Sequence, residues 1–223
     1  MYILNLETST KNCSVALAKD GKTIAIREMA EEGHSHAEFL HVYIAQVISE
    51  AKITFQDLFA VAVGHGPGSY TGLRIGISAA KGLCYALDIP LIAINSLLLL
   101  AKQVNVENGL IVPMIDARRM EVYTAIFDKN HAIIEPTSAK ILDENSFDNI
   151  SESIYILGDC QDKVKTVLTD SKFIFLENIQ FPSSNDMSKL SFQKFEANDF
   201  EDVAYFEPLY LKDFWSPANK SNV

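Results

Sequence analysis

Cysteine occurs only three times, at Cys13, Cys84 and Cys160, an odd number of widely separated residues. That excludes a disulfide framework and offers no CxxC pair for a metal or a redox couple, so a reducing cytoplasm is the expected compartment. No apolar run approaches the ~18 residues that a membrane helix needs. The most apolar stretch, Ile89 to Ala101, is broken by Pro90, Asn95 and Ser96 and reads as buried core. The N-terminus has no basic region ahead of an apolar segment; it alternates like a strand from the start, so no signal peptide is expected. Basic residues are in deficit, 19 Lys and Arg against 29 Asp and Glu, for a formal charge of -10. Phosphate-backbone affinity comes from neutralising cations, so this chain alone is a poor ligand for RNA.

Apolar residues make up 48% of the 223, enough to bury a substantial core in one large or two small domains. Tyr2 to Leu6, Cys13 to Lys19 and Lys22 to Arg27 read as strands, with Asp20-Gly21 supplying a tight hairpin turn. Ser35 and Glu38 form an S-x-x-E capping box ahead of a helix from His36 to Ala51, whose apolar face carries Phe39, Leu40, Tyr43, Ile44, Val47 and Ile48. Phe59 to Val63 reads as a buried strand, Leu73 to Leu87 as a helix, Leu91 to Ile94 as a strand and Ser96 to Gln103 as a helix. Three strands and a helix followed by strand-helix-strand-helix is the ribonuclease-H-like order. The pattern restarts near Leu110: Ile111 to Asp116, a polar turn and Glu121 to Phe127 echo Asn5 to Ala18, with Asp116 where Glu7 stood. Ile154 to Leu157, a helix after Gln161 and Lys172 to Leu176 complete a smaller second half. Beyond Phe181 the Ser, Asn, Asp and Lys content predicts loops.

Gly64 to Gly76, read as GHGPGSYTGLRIG, leaves a strand and enters a helix. Two functions are open to it. Exposed amides at the helix start could hold a phosphate or carboxylate, with Gly66, Gly68, Ser69, Thr71 and Arg74 around it and Thr8 and Ser9 opposite. Alternatively Gly72, Gly76 and Ala80, four apart, clear one helical face for close packing or for a partner. The spacing matches neither a Walker A loop nor a dinucleotide fingerprint. Ser69 lacks the G-x-S-x-G setting of a nucleophile and reads as a cap of the next helix. His36 and His41, five apart, point about 140° away from each other on a helix, so these two and His34 form no metal cluster. Asp116, Arg118, Arg119 and Glu121 crowd one turn, as an ion-paired solvated corner or a ligand grip, the corner being favoured.

The glycine run, with Ala80-Lys81-Gly82-Leu83, Leu6-Glu7-Thr8-Ser9, His34-Ser35 and Ile115 to Tyr123 (IDARRMEVY), resembles the TsaB (YeaZ) family in the family's own order. Pro208-Leu209-Tyr210-Leu211 matches more loosely. Two residues depart from the pattern: Tyr70 stands where the family often has Phe, and Met120 where it often has Gly, which argues against a positive φ at 120.

The resemblance implies an α/β actin/Hsp70-like (ASKHA) fold of two ribonuclease-H-like halves with mixed sheets flanked by helices. It divides the chain into residues 1–105, holding the glycine loop and the partner-binding helices, a smaller domain at 106–215 and a flexible tail at 216–223. It implies a cytoplasmic, non-catalytic dimerisation and activating subunit with no membrane association and no catalytic or metal residue. That subunit pairs with TsaD and TsaE in making threonylcarbamoyladenosine beside the tRNA anticodon, with a homodimer as its form when alone. ATP and metal then belong to the complex through its partners, and tRNA is met through the complex. His36, Phe39, Leu40, Tyr43, Leu73, Ile77 and Ala80 would form the partner interface. TsaD-like members carry Asn-His-x-x-Gly-His, whose histidines hold a metal; here Asn95 to Leu100 reads Asn-Ser-Leu-Leu-Leu-Leu, and neither hydroxyl nor leucine replaces imidazole. The competing expectations are an ATP-using phosphotransferase or ATPase of the same superfamily and, less favoured, a peptidase.

Overall fold

In the computed structural model residues 1–30 and 36–212 are described. The Ser35 capping box, His34 and the 216–223 tail lie outside them. β1 (Tyr2–Glu7), β2 (Cys13–Lys19) and β3 (Lys22–Met29) form an antiparallel meander, and β4 (Leu58–Gly66) and β5 (Leu91–Asn95) add in parallel on the other side of β1. The sheet order is β3-β2-β1-β4-β5. The Asp20-Gly21 turn has positive φ at both residues, 51° and 76°, the twist that a two-residue hairpin requires. Residues alternate across this sheet. Leu4, Leu6, Val15, Leu17, Val61 and Val63 face helices α1 (His36–Glu50) and α2 (Tyr70–Leu87), and Ile3, Ala60, Ala62, Ile92 and Ile94 face the opposite layer.

β6 (Leu110–Asp116), β7 (Glu121–Phe127), β8 (Ile133–Ile141), β9 (Ile154–Leu157) and β10 (Phe173–Phe175) build a second sheet in the order β10-β9-β6-β7-β8. Its pairings repeat those of the first: β6-β7 and β7-β8 antiparallel, β6-β9 and β9-β10 parallel. The echo of β1 in β6 is thus a repeat of the whole sheet topology. α4 (Gln161–Val164) follows β9 as a single turn. Between the sheets lies α3 (Ser96–Lys102), with Leu99 against the first sheet and Leu97, Leu100 and Ala101 against Ile111, Ile115, Ala125 and Phe127 of the second. A helix enclosed on both sides is apolar all round, which accounts for its four consecutive leucines.

Two expectations are corrected. β8 lies outside the strand pattern read from the sequence because it is an edge strand, exposed along most of its length and carrying Pro136 where its register with β7 shifts. The segment after Phe181 is not a string of loops: α5 (Met187–Glu196) packs Met187, Leu190 and Phe195 on the first sheet beside Ile3 and Ile92. Its pattern was hidden by buried serines. Ser188 bonds Thr23 (2.7 Å) and Asn5 (3.4 Å), and Ser184, just ahead of the helix, bonds Ser14 (2.6 Å). The chain therefore returns to the first sheet after Pro182, and the 106–215 division does not follow the packing.

Candidate functional site: the glycine loop and the turn beneath it

β1 ends in Glu7, which is fully buried. Its Oε1 accepts the Ser9 amide (2.6 Å) and its Oε2 accepts the Ser96 hydroxyl from the start of α3 (3.0 Å). Burial raises its pKa and these donors partly offset the rise. Thr8 and Ser9 are also fully buried and Thr10 nearly so. The glycine loop is their roof. Added Cβ atoms at positions 64, 68, 72 and 76 would overlap, in turn, the Glu7 carboxylate, the Ser9 carbonyl, the Thr8 carbonyl and the Thr8 hydroxyl. The Ser69 amide donates to the Ser9 carbonyl (2.6 Å) and the Thr8 hydroxyl to the Gly72 carbonyl (2.8 Å). At Gly66 φ is 105°, a conformation that glycine alone adopts cheaply.

This geometry favours the packing use of the glycines. Gly64, Gly68, Gly72 and Gly76 admit the chain's own β1-β2 turn, with Thr8 and Ser9 buried beneath them, while Gly66 lies against Leu73 and the Leu209 carbonyl. Two of the side chains expected to meet a phosphate have partners within the chain. Ser69 Oγ caps α2 by accepting from the Gly72 amide (3.2 Å), which moves the helix start three residues ahead of Leu73. Arg74 stacks on the Tyr70 ring (4.0 Å) and donates from Nε to the Tyr210 hydroxyl (3.0 Å). Thr71 stands exposed on α2. A nucleotide of the kind an ASKHA fold implies does not fit this turn. A TsaD-type metal does not fit α3 either, because Ser96 is spent on Glu7 and Leu97, Leu99 and Leu100 are in the core.

The expected interface residues divide by burial. Leu40, Ile77 and Ala80 are buried in the first core and Leu73 is buried against Gly66, so the amphipathic pattern marks the inward face of each helix. Phe39 and Tyr43 are half-buried, their ring centres 5.7 Å apart. His36 pins the turn, its Nε2 2.7 Å from the Thr10 carbonyl, and burial lowers its pKa. The outward faces are Val42, Ala45 and Ser49 on α1 and Ser78, Gly82 and Tyr85 on α2. The corner at residues 116–121 is ion-paired, but by other cations: Lys163 binds Asp116 and Lys212 binds Glu121. Positive φ falls at Arg118 and Arg119.

A model of the family described as TsaD, tRNA N6-adenosine threonylcarbamoyltransferase, matches residues 28–208. The chain is 29% identical over 222 residues to the tRNA threonylcarbamoyladenosine biosynthesis protein TsaB of Escherichia coli K12, covering 96% of this chain and 95% of that one. It is 37% identical over 136 residues to the protein of the same name from Bacillus subtilis 168, covering 60% and 58%. The chain belongs to that family, on its TsaB (YeaZ) branch. The fold agrees: YeaZ from Pseudomonas aeruginosa superposes with a TM-score of 0.82 at 24% identity, over 94% of this chain and 99% of that one. The actin/Hsp70-like architecture is thus common to both. In this chain the segment from Gly64 to Gly76 packs as a loop on a turn.

His65, within the same loop, supplies a pH test of its own enclosure beside Phe206. Enclosure next to the Phe206 ring, with Lys194 nearby, lowers its pKa from 6.5 to about 4. A depressed histidine contributes stability that is complete above pH 6.5 and lost as pH falls toward 4. The loss attributable to His65 is at most about 3 kcal/mol. Urea unfolding between pH 7 and 4 should show this as a wild-type-minus-H65Q difference; a constant difference would contradict the assignment.

Proposed function

We propose that the chain is a non-catalytic subunit in the biosynthesis of threonylcarbamoyladenosine on tRNA, pairing with a TsaD-type transferase that performs the transfer. The observation that carries this reading is the filled turn. Glu7, Thr8 and Ser9, which end β1 where a phosphate-handling ASKHA enzyme would work, are sealed under the chain's own glycines. The protein then acts through what it presents. α1 and α2 lie side by side on the first sheet and turn an outward face to solvent. A shallow groove of about 900 Å³ runs along α1 past His41, Val42, Ala45 and Ser49. Small residues in the middle of α2 and the Tyr85 ring beyond them suit a closely packed helical interface. The same face would serve a second copy when the transferase is absent. ATP and metal reside with TsaD and with TsaE, the further partner, and tRNA is met through the complex. Among the described residues no helix is long and apolar enough to cross a membrane, which accords with work in the cytoplasm.

The test is reconstitution of threonylcarbamoyladenosine formation on tRNA with TsaD, TsaE, ATP and the threonylcarbamoyl donor, with and without this chain. Omission is expected to lower product at least tenfold, while the isolated chain turns over no ATP. Equal product without the chain overturns the proposal, and ATP hydrolysis by the pure chain would favour the phosphotransferase reading instead.

A further inference from the structure

The last described segment, residues 201–212, runs from one sheet to the other. The Glu201 amide bonds the Leu91 carbonyl of β5 (2.9 Å), and Lys81 of α2 holds the Ala204 and Phe206 carbonyls (3.1 and 3.0 Å). The Leu209 amide then bonds the His65 carbonyl at the end of β4 (2.9 Å), and Tyr210 joins Tyr70 and Arg74, its ring centre 5.2 Å from that of Tyr70. Two residues on, Lys212 donates to the Ala117 carbonyl (3.0 Å), pairs with Glu121 and lies 5.7 Å from the centre of the Tyr123 ring. Seven residues, 206–212, thus link the glycine loop and α2 of the first half to the β6-β7 hairpin of the second.

That hairpin needs external support. Arg118 and Arg119 hold φ values of 70° and 52° in succession, a left-handed pair costing roughly 1 kcal/mol or more each, which persists only where the surroundings over-determine it. Two lysines do so. Lys163 bonds the Arg119 and Glu121 carbonyls (2.8 and 2.7 Å) and pairs with Asp116, and Lys212 holds the other side. Elsewhere the halves meet through the apolar packing of α3, beside which Asn95 donates to the Thr137 hydroxyl (3.0 Å) and the His131 ring lies 2.9 Å from the Val104 carbonyl; neither of these contacts touches the β6-β7 hairpin.

We infer that residues 206–212 are an internal clamp that sets the angle between the two halves, the task that a bound ligand performs in a two-lobed fold whose cleft is open. The hold is continuous with the turn: Arg74 and His65, which grip the strap, belong to the loop that roofs Thr8 and Ser9. Release of the strap therefore loosens the hairpin and exposes the first turn of α2 together.

Hydrogen exchange on the full chain tests this, with the Ala117 and Glu121 amides of the hairpin as reporters. A chain ending at Glu207 is expected to exchange at least fivefold faster there and at residues 66–74, while the strand amides of β1 stay unchanged. K212M, which keeps the aliphatic stem, should raise exchange severalfold in the hairpin alone, and adding E121Q to it should bring no further increase. ADP with magnesium should leave the wild type unaltered. Unchanged hairpin exchange in both the truncated chain and K212M, or slowing of the wild type by ADP, would overturn the inference.

Discussion

Replacing Gly72 with alanine is expected to destabilise the protein by at least about 3 kcal/mol, although alanine is the better helix former by up to ~1 kcal/mol. Gly72 lies in the first turn of α2, fully buried, and its missing side chain leaves room for the Thr8 carbonyl. A methyl group there overlaps backbone, which has no other rotamer to adopt, and its next neighbour is the His36 ring at 3.2 Å. Relief would require the Ser69-Ser9 and Thr8-Gly72 hydrogen bonds to lengthen together. Gly82, ten residues along the same helix, has nothing within 4 Å of its would-be Cβ. G82A should therefore stabilise the isolated chain by ~0.5–1 kcal/mol. Opposite signs for the same substitution in one helix, read by urea denaturation, would establish that the signature is packing; equal effects would refute it.

The second large effect concerns assembly. G82R adds a long charged side chain to open space on the outward face of α2, so the isolated protein should keep its melting temperature within a few degrees. Its affinity for a TsaD-type partner, or for itself, should fall at least a hundredfold, because a charge in the middle of a close helical contact is both too large and unpaired. Tyr85, 86% exposed, gives the companion test. Y85A removes a large ring that contributes little to the monomer and should weaken association about tenfold or more. Sedimentation with purified partner distinguishes the outcomes: unimpaired complexes of folded G82R would remove this face from the interface. A80R is the uninformative variant, since Ala80 is fully buried and the charge would unfold the chain before it tested a contact.

Much of this arrangement was legible because local chemistry and tertiary structure ask for the same residues. Asp20-Gly21 specifies its hairpin, Ser69 its cap, and alternation specifies β1, β2 and β7 to within a residue of the observed ends. The elements that escaped reading are those whose residues answer to distant partners. Ser188 and Ser191 look like loop serines but are buried in α5, and Ile133, Ile134 and Ile141 look like core but stand on an exposed edge. Periodicity also identifies a helix face without saying which of its neighbours will cover it. That is why Leu40, Leu73, Ile77 and Ala80 suggest an interface from sequence and prove to be the protein's own interior.

The sequence by itself determined the echo of β1 and β2 in β6 and β7, the membership in the TsaB (YeaZ) branch through its glycine signature, and a run of serine and leucines without imidazole after Asn95. Each is a property of residues near one another along the chain. Only the tertiary structure decided what the glycines are for, which faces of α1 and α2 remain open, and that residues 206–212 reach from Arg74 to Glu121. A glycine reports that something comes close without naming it. Whether that something is a phosphate or the carbonyl of Thr8, 64 residues earlier, is settled by long-range packing, in which the chain's own turn takes the space first.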